Sequence, residues 1–428
     1  MPKKKEQLFP IKTSTACLLK WNWSSIYLQS GTTSSCHRTT RLKIPENNFS
    51  SFHNLPEKIR DRQQMLKGEW PKNTCGYCKK AEDAKQYSDR INQLILQTDT
   101  SVTPPELFQN NEAVEITPTT IEVYFKNTCN MACVYCGPHF SSRWEEEIKL
   151  HGDITIFGKK IEQDKFAVHN IQKNNLYEYQ KQQLWKYLEQ NNRYKTLRYF
   201  SFLGGEPLVI PELDECIDFW NEHPNEKLTF QIITNLKVND FRFDNFLSQI
   251  DKLTNEKKIY RFKVVASLDG IGPQTEYARY GIDSAQWIKN FEKLLAIKTV
   301  SVGINSTISM LTLHEFPFLL EKILKWNKDR PVFERIIHSF QTDTSSITDP
   351  YMAGPDIFNL VLKKCDELFI VKNSIESSAK KYFSGIARQM QESIKNTEKI
   401  QLLKKYLSIL DSRRNTNWQK TFPWLVTL

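Results

Sequence analysis

From about residue 119 to residue 340, short apolar runs alternate with segments of helical period. The runs at 119–126, 196–203, 228–234, 261–268, 300–308 and 332–340 are rich in Val, Ile, Phe, Tyr and Thr. Such residues fit a pleated, half-buried surface, so six strands are predicted there. Between most of them apolar residues recur at helical spacing, as in ELDECIDFWNEH (212–223), SAQWIKNFEKLLAI (284–297) and LHEFPFLLEKILKWN (313–327). Alternating strand and helix implies parallel strands joined by right-handed crossovers. Six units are too few for a closed eight-fold barrel and suit an open, partial barrel or a doubly wound sheet.

The first crossover, about 140–195, is long. It carries a charged helix start (SSRWEEEIKL), a hairpin pattern (GDITIFGKKIEQ) and a second helix (LYEYQKQQLWKYLEQ). Insertions of this kind often shape a substrate site. Residues 355–412 read as amphipathic helices, followed by a polar turn and FPWLVTL. Residues 1–118 read as a separate unit, with a strand pair flanking Gly31 and a helix around PEKIRDRQQMLKGEW. The pattern divides the chain into 1–118, 119–345 and 346–428.

Composition narrows the class. The chain has 428 residues, 39% hydrophobic and 25% charged, which suits a globular protein with a sizeable core. No stretch approaches eighteen uninterrupted apolar residues, so no membrane-spanning helix is expected. MPKKKEQLFP has a basic cluster without an apolar segment behind it, so a cytoplasmic protein is expected rather than a secreted one. The formal charge of +10, from 59 basic and 49 acidic side chains, is scattered among acidic neighbours. It reads as a solvated surface, and nucleic acid is not indicated, because no basic stripe is interleaved with aromatics. Seven of the nine cysteines fall in the first third: Cys17, Cys36, Cys75, Cys78, Cys129, Cys133 and Cys136. That clustering points to metal rather than disulfides.

Residues 129–136 read CNMACVYC, just after the first predicted strand of the core. Three thiolates on one tight loop can hold three irons of a cubane cluster and leave the fourth iron open. His139 could instead complete a four-ligand zinc site, so zinc is the alternative. Further polar clusters follow or terminate the next strands: GGEP (Gly204, Gly205, Glu206, Pro207), Thr234 with Asn235, SLDG with Ser267 and Asp269, and INST with Asn305 and Thr307. Singly, each reads as a turn or a cap. Jointly they mark one edge, and chemistry in α/β folds gathers at the carboxyl ends of the strands.

The CNMACVYC loop resembles the signature of the radical S-adenosylmethionine superfamily. There, three cysteines hold a [4Fe–4S] cluster whose open iron is chelated by the methionine amino and carboxylate groups of the cofactor. The resemblance implies cluster ligation by Cys129, Cys133 and Cys136, with Tyr135 as the aromatic before the last cysteine. It implies S-adenosylmethionine contacts at Gly204, Gly205, Glu206, Thr234, Asn235, Ser267, Asp269, Arg279 and Asn305. It also implies the fold, a partial (β/α)6 TIM-like barrel with an N-terminal cysteine-bearing twitch-like unit and a C-terminal helical tail.

Cys17, the GTTSSC segment ending in Cys36, and Cys75-Gly-Tyr-Cys78 resemble the auxiliary-cluster region of SPASM and twitch domains. The resemblance implies a second iron–sulfur cluster there, with a zinc knuckle as the alternative. The passage from FHNLPEKIR to SDRINQ resembles the same group, as does LDSRRNTNWQKTFPWL with Asp411, Arg413, Trp418, Phe422 and Pro423. Two departures stand out. His37 occupies a place where relatives often show a cysteine, and after the core only Cys365 remains. Cys365 and Cys216 sit in helical patterns and read as core thiols.

The implied activity is reductive. A one-electron donor such as flavodoxin or ferredoxin reduces the cluster, S-adenosylmethionine is cleaved to methionine and a 5′-deoxyadenosyl radical, and that radical abstracts hydrogen from a substrate. A peptide or protein substrate leads, with a small molecule such as a sugar or amino acid as the alternative. A non-catalytic zinc module of a basic RNA-binding protein is the reading from another class. It has no need of the GGEP, SLDG and INST series.

Overall fold

The computed structural model describes residues 13–36, 39–83, 88, 90–91, 115–161, 174–338, 347–368 and 374–428. The fold is mixed α/β and mostly parallel. Strands β1 (Trp23–Tyr27), β2 (Thr32–Ser34) and β3 (Leu42–Lys43) come first. Gly31 turns the chain between β1 and β2 with a φ of +60°, a conformation that costs glycine little. Next come β4 (Thr120–Tyr124) and a small separate hairpin of β5 (Thr155–Ile156) and β6 (Lys159–Lys160). The core then adds β7 (Tyr199–Leu203), β8 (Asn225–Thr234), β9 (Ile259–Ser267), β10 (Val300–Ile308) and β11 (Phe333–His338). Each predicted run carries one of these strands, with its ends shifted by a few residues.

One nine-stranded sheet has the order β11-β10-β9-β8-β7-β4-β1-β2-β3. From β11 to β1 all neighbours are parallel, and β1, β2 and β3 are antiparallel. The sheet therefore runs unbroken across position 118/119, because β1 pairs in parallel with β4 (Ser25↔Glu122, Ile26↔Val123).

The two faces of the sheet differ in kind. Ile121, Val123, Phe200, Phe202, Phe230, Ile232, Phe262 and Val264 are fully buried on one face. They pack in one cluster with apolar residues of the crossover helices Glu212–Glu222, Asp240–Asn255 and Ser284–Ala296. The alternate positions give a polar row in register across β1, β4 and β7 to β10: Ser25, Glu122, Ser201, Gln231, Lys263 and Ser301. Four of its members pair within the row. Ser25 Oγ donates to Glu122 at 2.8 Å, and Gln231 Nε2 donates to Ser201 Oγ at 3.2 Å. Ser25, Glu122, Ser201 and Gln231 are buried too, so this largely parallel sheet is covered on both faces, one apolar and one polar.

A second core lies at the carboxyl edge. Ala132, Val134 and Trp144 pack with Tyr277, Tyr406, Leu410, Trp418 and Phe422, so the C-terminal helices close over the cysteine loop. Cys216 and Cys365 are fully buried among apolar side chains. Among the described residues, no helix is long and apolar enough to cross a membrane.

Candidate functional site

Strand β4 delivers the chain to the cysteine loop at the carboxyl edge, where the loop backbone is pinned from several sides. Ala132 N–H donates to the Tyr280 carbonyl at 3.0 Å, and Val134 N–H to the Ala278 carbonyl at 2.7 Å. The Cys133 carbonyl accepts Trp144 Nε1–H at 2.8 Å, and the Val134 carbonyl accepts the Tyr406 hydroxyl at 3.1 Å. Ser141 has two partners: its Oγ caps the helix Ser142–His151 by accepting Trp144 N–H, and it donates to the Met131 carbonyl at 2.6 Å. Cys129, Cys133 and Cys136 are each half-buried and not in disulfides. Burial, then Glu206 and Cys133, push the Cys129 thiol up to about 12. Burial also raises Cys133, against the pull of the Arg279 charge.

The GGEP turn after β7 lies against the base of the loop. Gly205 N–H donates to the Lys126 carbonyl at 2.7 Å, and Glu206 N–H to the Thr128 carbonyl at 2.8 Å. Gly204 has a φ of +140°, and a Cβ there would meet the Lys126 oxygen at 2.5 Å. A Cβ on Gly205 would fall inside the Thr128 carbonyl. The glycine pair is thus what lets this turn approach the cysteine loop. Glu206 is buried and accepts Thr234 Oγ1–H and Asn235 N–H at 2.6 Å and Leu208 N–H at 3.0 Å. Burial lifts its carboxyl to about 7, against those three donors. Asn235 carries the chain of contacts onward. Its Nδ2 donates to Asn130 Oδ1 at 3.0 Å and stands 3.9 Å from Cys129 Sγ.

A second network centres on Asp269 after β9. One carboxylate oxygen accepts Arg279 at 2.9 Å and Thr307 N–H at 2.9 Å. The other accepts the Tyr135 hydroxyl. Arg279 is buried, its guanidinium 5.7 Å from the Tyr135 ring centre. Burial works to lower its pKa, but the charges of Asp269 and then Tyr135 together outweigh it and hold the guanidinium above its ordinary value. Ser267 is buried and pairs in register with Asn305 across β9 and β10. Asn305 Oδ1 is buried with no hydrogen-bond partner among the described residues. The structure therefore joins Tyr135, Asp269 and Arg279 directly, joins Glu206, Thr234 and Asn235 directly, and connects both groups to the cysteine loop.

The donor set fits the implied cluster. Three soft sulfurs lie on one pinned loop, and a coordinating thiol is deprotonated by its metal, which offsets the cost that burial places on these thiolates. Among the described residues, no group of three His, Cys, Asp or Glu side chains converges tightly enough to hold a single metal ion. His139 lines a small cavity with Tyr27, Tyr124 and Gly204. The orphaned Asn305 oxygen and the polar strand ends offer partners to a ligand with several hydrogen-bonding groups.

In the N-terminal segment, buried Cys17 packs with Trp21 and Met65, and Cys36 and Cys75 pack against the same cluster. Burial, then Cys36 and Cys75, push the Cys17 thiol up to about 12. Cys78 follows on the helix Gly76–Asp83, half-buried. Spaced i, i+3, Cys75 and Cys78 share one side of that turn. Buried Lys20 pairs with Asp61 at 2.5 Å and is influenced by the charge of Cys75 and Cys36. His37 lies outside the described residues.

Several contributors were not singled out from the sequence. Trp144 and Tyr406 hold loop carbonyls. Arg414 Nε donates to Glu147 at 2.9 Å, and its guanidinium lies 4.5 Å from the Trp144 ring centre. Asn130 Nδ2 donates to the Lys237 carbonyl at 2.6 Å. The one sequence signal for these was position: Trp144 opens the charged helix and Arg414 lies in the DSRRNT turn.

No family model matches the sequence. No curated protein matches it either. Among solved structures, the chain is similar to Streptococcus suis SuiB at 13% identity and a TM-score of 0.34, over 66% of this chain and 55% of that one. It is similar to the same protein bound to S-adenosylmethionine at 13% identity and a TM-score of 0.35, over 74% of this chain and 63% of that one. The chain thus spans less than two thirds of either structure's length. Likeness that slight carries no weight for function, which has to be read from the site.

Proposed function

We propose that this chain is a radical S-adenosylmethionine enzyme on an open, partial barrel. The observation that supports the reading best is convergence. The cysteine loop is hydrogen-bonded to groups at the ends of β7, β8 and β9, and through Asp269 to Thr307 near the end of β10. A zinc scaffold needs its ligands and has no use for two further buried networks.

In this reading Cys129, Cys133 and Cys136 ligate the [4Fe–4S] cluster. The turn at Gly204 and Gly205, with Glu206, meets the cofactor's amino group. Thr234, Asn235, Ser267, Asp269, Arg279 and Asn305 contact the rest of S-adenosylmethionine. When bound, the cluster would supply one electron that breaks a carbon–sulfur bond of S-adenosylmethionine and so generates a hydrogen-abstracting 5′-deoxyadenosyl radical. The chain's own part is to fix the loop, order the polar edge and keep water out under the C-terminal helices. Cys17, Cys36, Cys75 and Cys78 hold an auxiliary iron–sulfur cluster in a twitch-like segment. A flavodoxin- or ferredoxin-type protein donates the electron, and a peptide or protein is the substrate.

Protein purified without oxygen is expected to be brown, with about eight irons per chain if both clusters are four-iron. With dithionite and S-adenosylmethionine it should release 5′-deoxyadenosine, and Cys133→Ala should stop that release. Colourless protein with stoichiometric zinc would sink the reading. Unchanged iron content in Cys75→Ala would remove the auxiliary cluster alone.

A further inference from the structure

Four cations are buried in the N-terminal segment: Lys20, Lys58, Arg62 and Arg90. Lys20 pairs with Asp61, and Arg90 with Glu82. Arg62 Nε donates to the Lys20 carbonyl at 2.8 Å, and its guanidinium lies within reach of the Asp61 and Glu115 charges. Lys58 is different. It is 2% exposed and has no carboxylate within ion-pair distance among the described residues. Its ammonium donates to Ser24 Oγ at 3.1 Å and to Thr33 Oγ1 at 2.8 Å. Both hydroxyl protons are committed elsewhere, that of Thr33 to the Ser25 carbonyl and that of Ser24 to His53 Nδ1, each at 2.8 Å. Two neutral hydroxyls do not answer a charge, and a lysine is rarely buried this fully without an opposing one.

The cations gather around the cysteines. Thr33, which holds Lys58, stands three residues before Cys36. Cys36 and Cys75 pack against the cluster of Cys17, Trp21 and Met65. Asp61 accepts the Lys20 ammonium at 2.5 Å and Thr74 Oγ1–H at 2.9 Å, and Thr74 Oγ1 is 3.6 Å from Cys75 Sγ. Arg90 Nη1 donates to the carbonyl of Ala16, next to Cys17, at 2.8 Å. Burial, then Arg62 and Lys20, press Lys58 toward its neutral form, and among the described residues the charge of Cys36 alone favours the cation. This donor set fits a metal centre. A coordinating thiol gives up its proton to the metal, so thiolates gathered on one iron–sulfur core or one zinc leave a net negative charge beside these cations.

We propose that Lys58 is a positioning residue for the auxiliary centre, its ammonium the buried counter-charge of the Cys36 thiolate. The inference rests on the reading of Cys17, Cys36, Cys75 and Cys78 as the ligands of that centre. With metal bound, Lys58 faces an anion and holds β2 to the centre through Thr33. Without metal, Cys36 is a neutral thiol and Lys58 is a buried charge with nothing opposite it, which burdens the fold. Lys58 therefore ties metal loading to the stability of the N-terminal segment. Lys20 is a poorer probe of the same idea, because its removal also strands Asp61.

The test uses the full chain with Cys129, Cys133 and Cys136 changed to Ser, so that metal reports on the N-terminal cysteines, reconstituted without oxygen with ferrous iron and sulfide. Lys58→Met should leave the metal-free chain folded, with a urea midpoint equal to or above that of the parent. In the loaded chain it should speed iron loss to a chelator by roughly tenfold or more, as removal of a group beside metal ligands typically does. It should also move the midpoint potential of the centre to a more negative value, because a nearby positive charge favours the reduced state. Thr33→Val keeps the charge while removing one of its hydrogen bonds, and should leave the potential unchanged. If the parent takes up no iron, the auxiliary-centre reading falls and this inference with it. If the parent loads and Lys58→Met matches it in iron loss and potential, the inference falls alone. A metal-free Lys58→Met chain that is unfolded or less stable than the parent, or a Thr33→Val chain with the same shift in potential, would show a merely structural lysine and overturn the proposal.

Discussion

Asp269 is fully buried, and its two oxygens hold Arg279, Tyr135 and the Thr307 N–H together. Removing its charge leaves a buried guanidinium uncompensated, which typically costs about 3–5 kcal/mol. Asp269→Asn should therefore lower the urea midpoint clearly, whereas Asn305→Ala should cost far less, because its oxygen has no partner among the described residues to lose. Glu206 makes a prediction about pH. Its carboxyl rises from 4.5 to about 7 on folding, so between those values the folded state binds more proton than the unfolded one. This group's contribution to stability is therefore highest below pH 4.5 and falls as pH rises to about 7, by about 3 kcal/mol. Glu206→Gln should flatten that part of the stability–pH curve, measured by denaturant titration across the window. An unchanged slope would reassign the effect to another group.

At the scale of elements, the GGEP turn and the cysteine loop act as one piece, because the two backbones touch at Lys126 and Thr128. Gly205→Ala forces a methyl group into the Thr128 carbonyl, an overpacking expected to cost about 1–3 kcal/mol. It should lower the melting temperature and cut iron uptake on anaerobic reconstitution. Gly68→Ala, with open space around its Cβ but a φ of +78°, separates backbone strain from this clash. Ser141→Ala removes a helix cap together with a bond to Met131 and should cost about 1 kcal/mol or somewhat more. The strands around these turns were readable in the sequence because their apolar runs alternate with helical periods. The pinning contacts were not. Trp144, Tyr406 and Arg414 read as core or surface positions of their own helices, and only packing across 272 residues of chain brings Tyr406 to Val134.

Across the whole molecule, β1 closes the parallel set by pairing with β4, so the N-terminal segment is built into the central sheet. A chain lacking residues 1–118 would expose β4 as an unpaired edge and uncover Glu122 from Ser25 and Trp23. Such a truncation should elute as aggregate in size-exclusion chromatography, whereas a chain whose N-terminal part is an independent body would stay monodisperse. The polar row from Ser25 to Ser301 crosses the same joint, in register from β1 through β10.

The sequence alone determined the strand–helix alternation, the spacing of Cys129, Cys133 and Cys136, and the polar residues that follow each strand. These are local properties, since periodicity and short spacing survive in one dimension. Tertiary structure decided which of those residues meet: Tyr135 with Asp269, Glu206 with Asn235, Cys17 with Cys36 and Cys75. It also decided that β1 joins the core sheet. Such contacts join distant parts of the chain, and their register is set by sheet pairing and packing, which no short window of sequence contains.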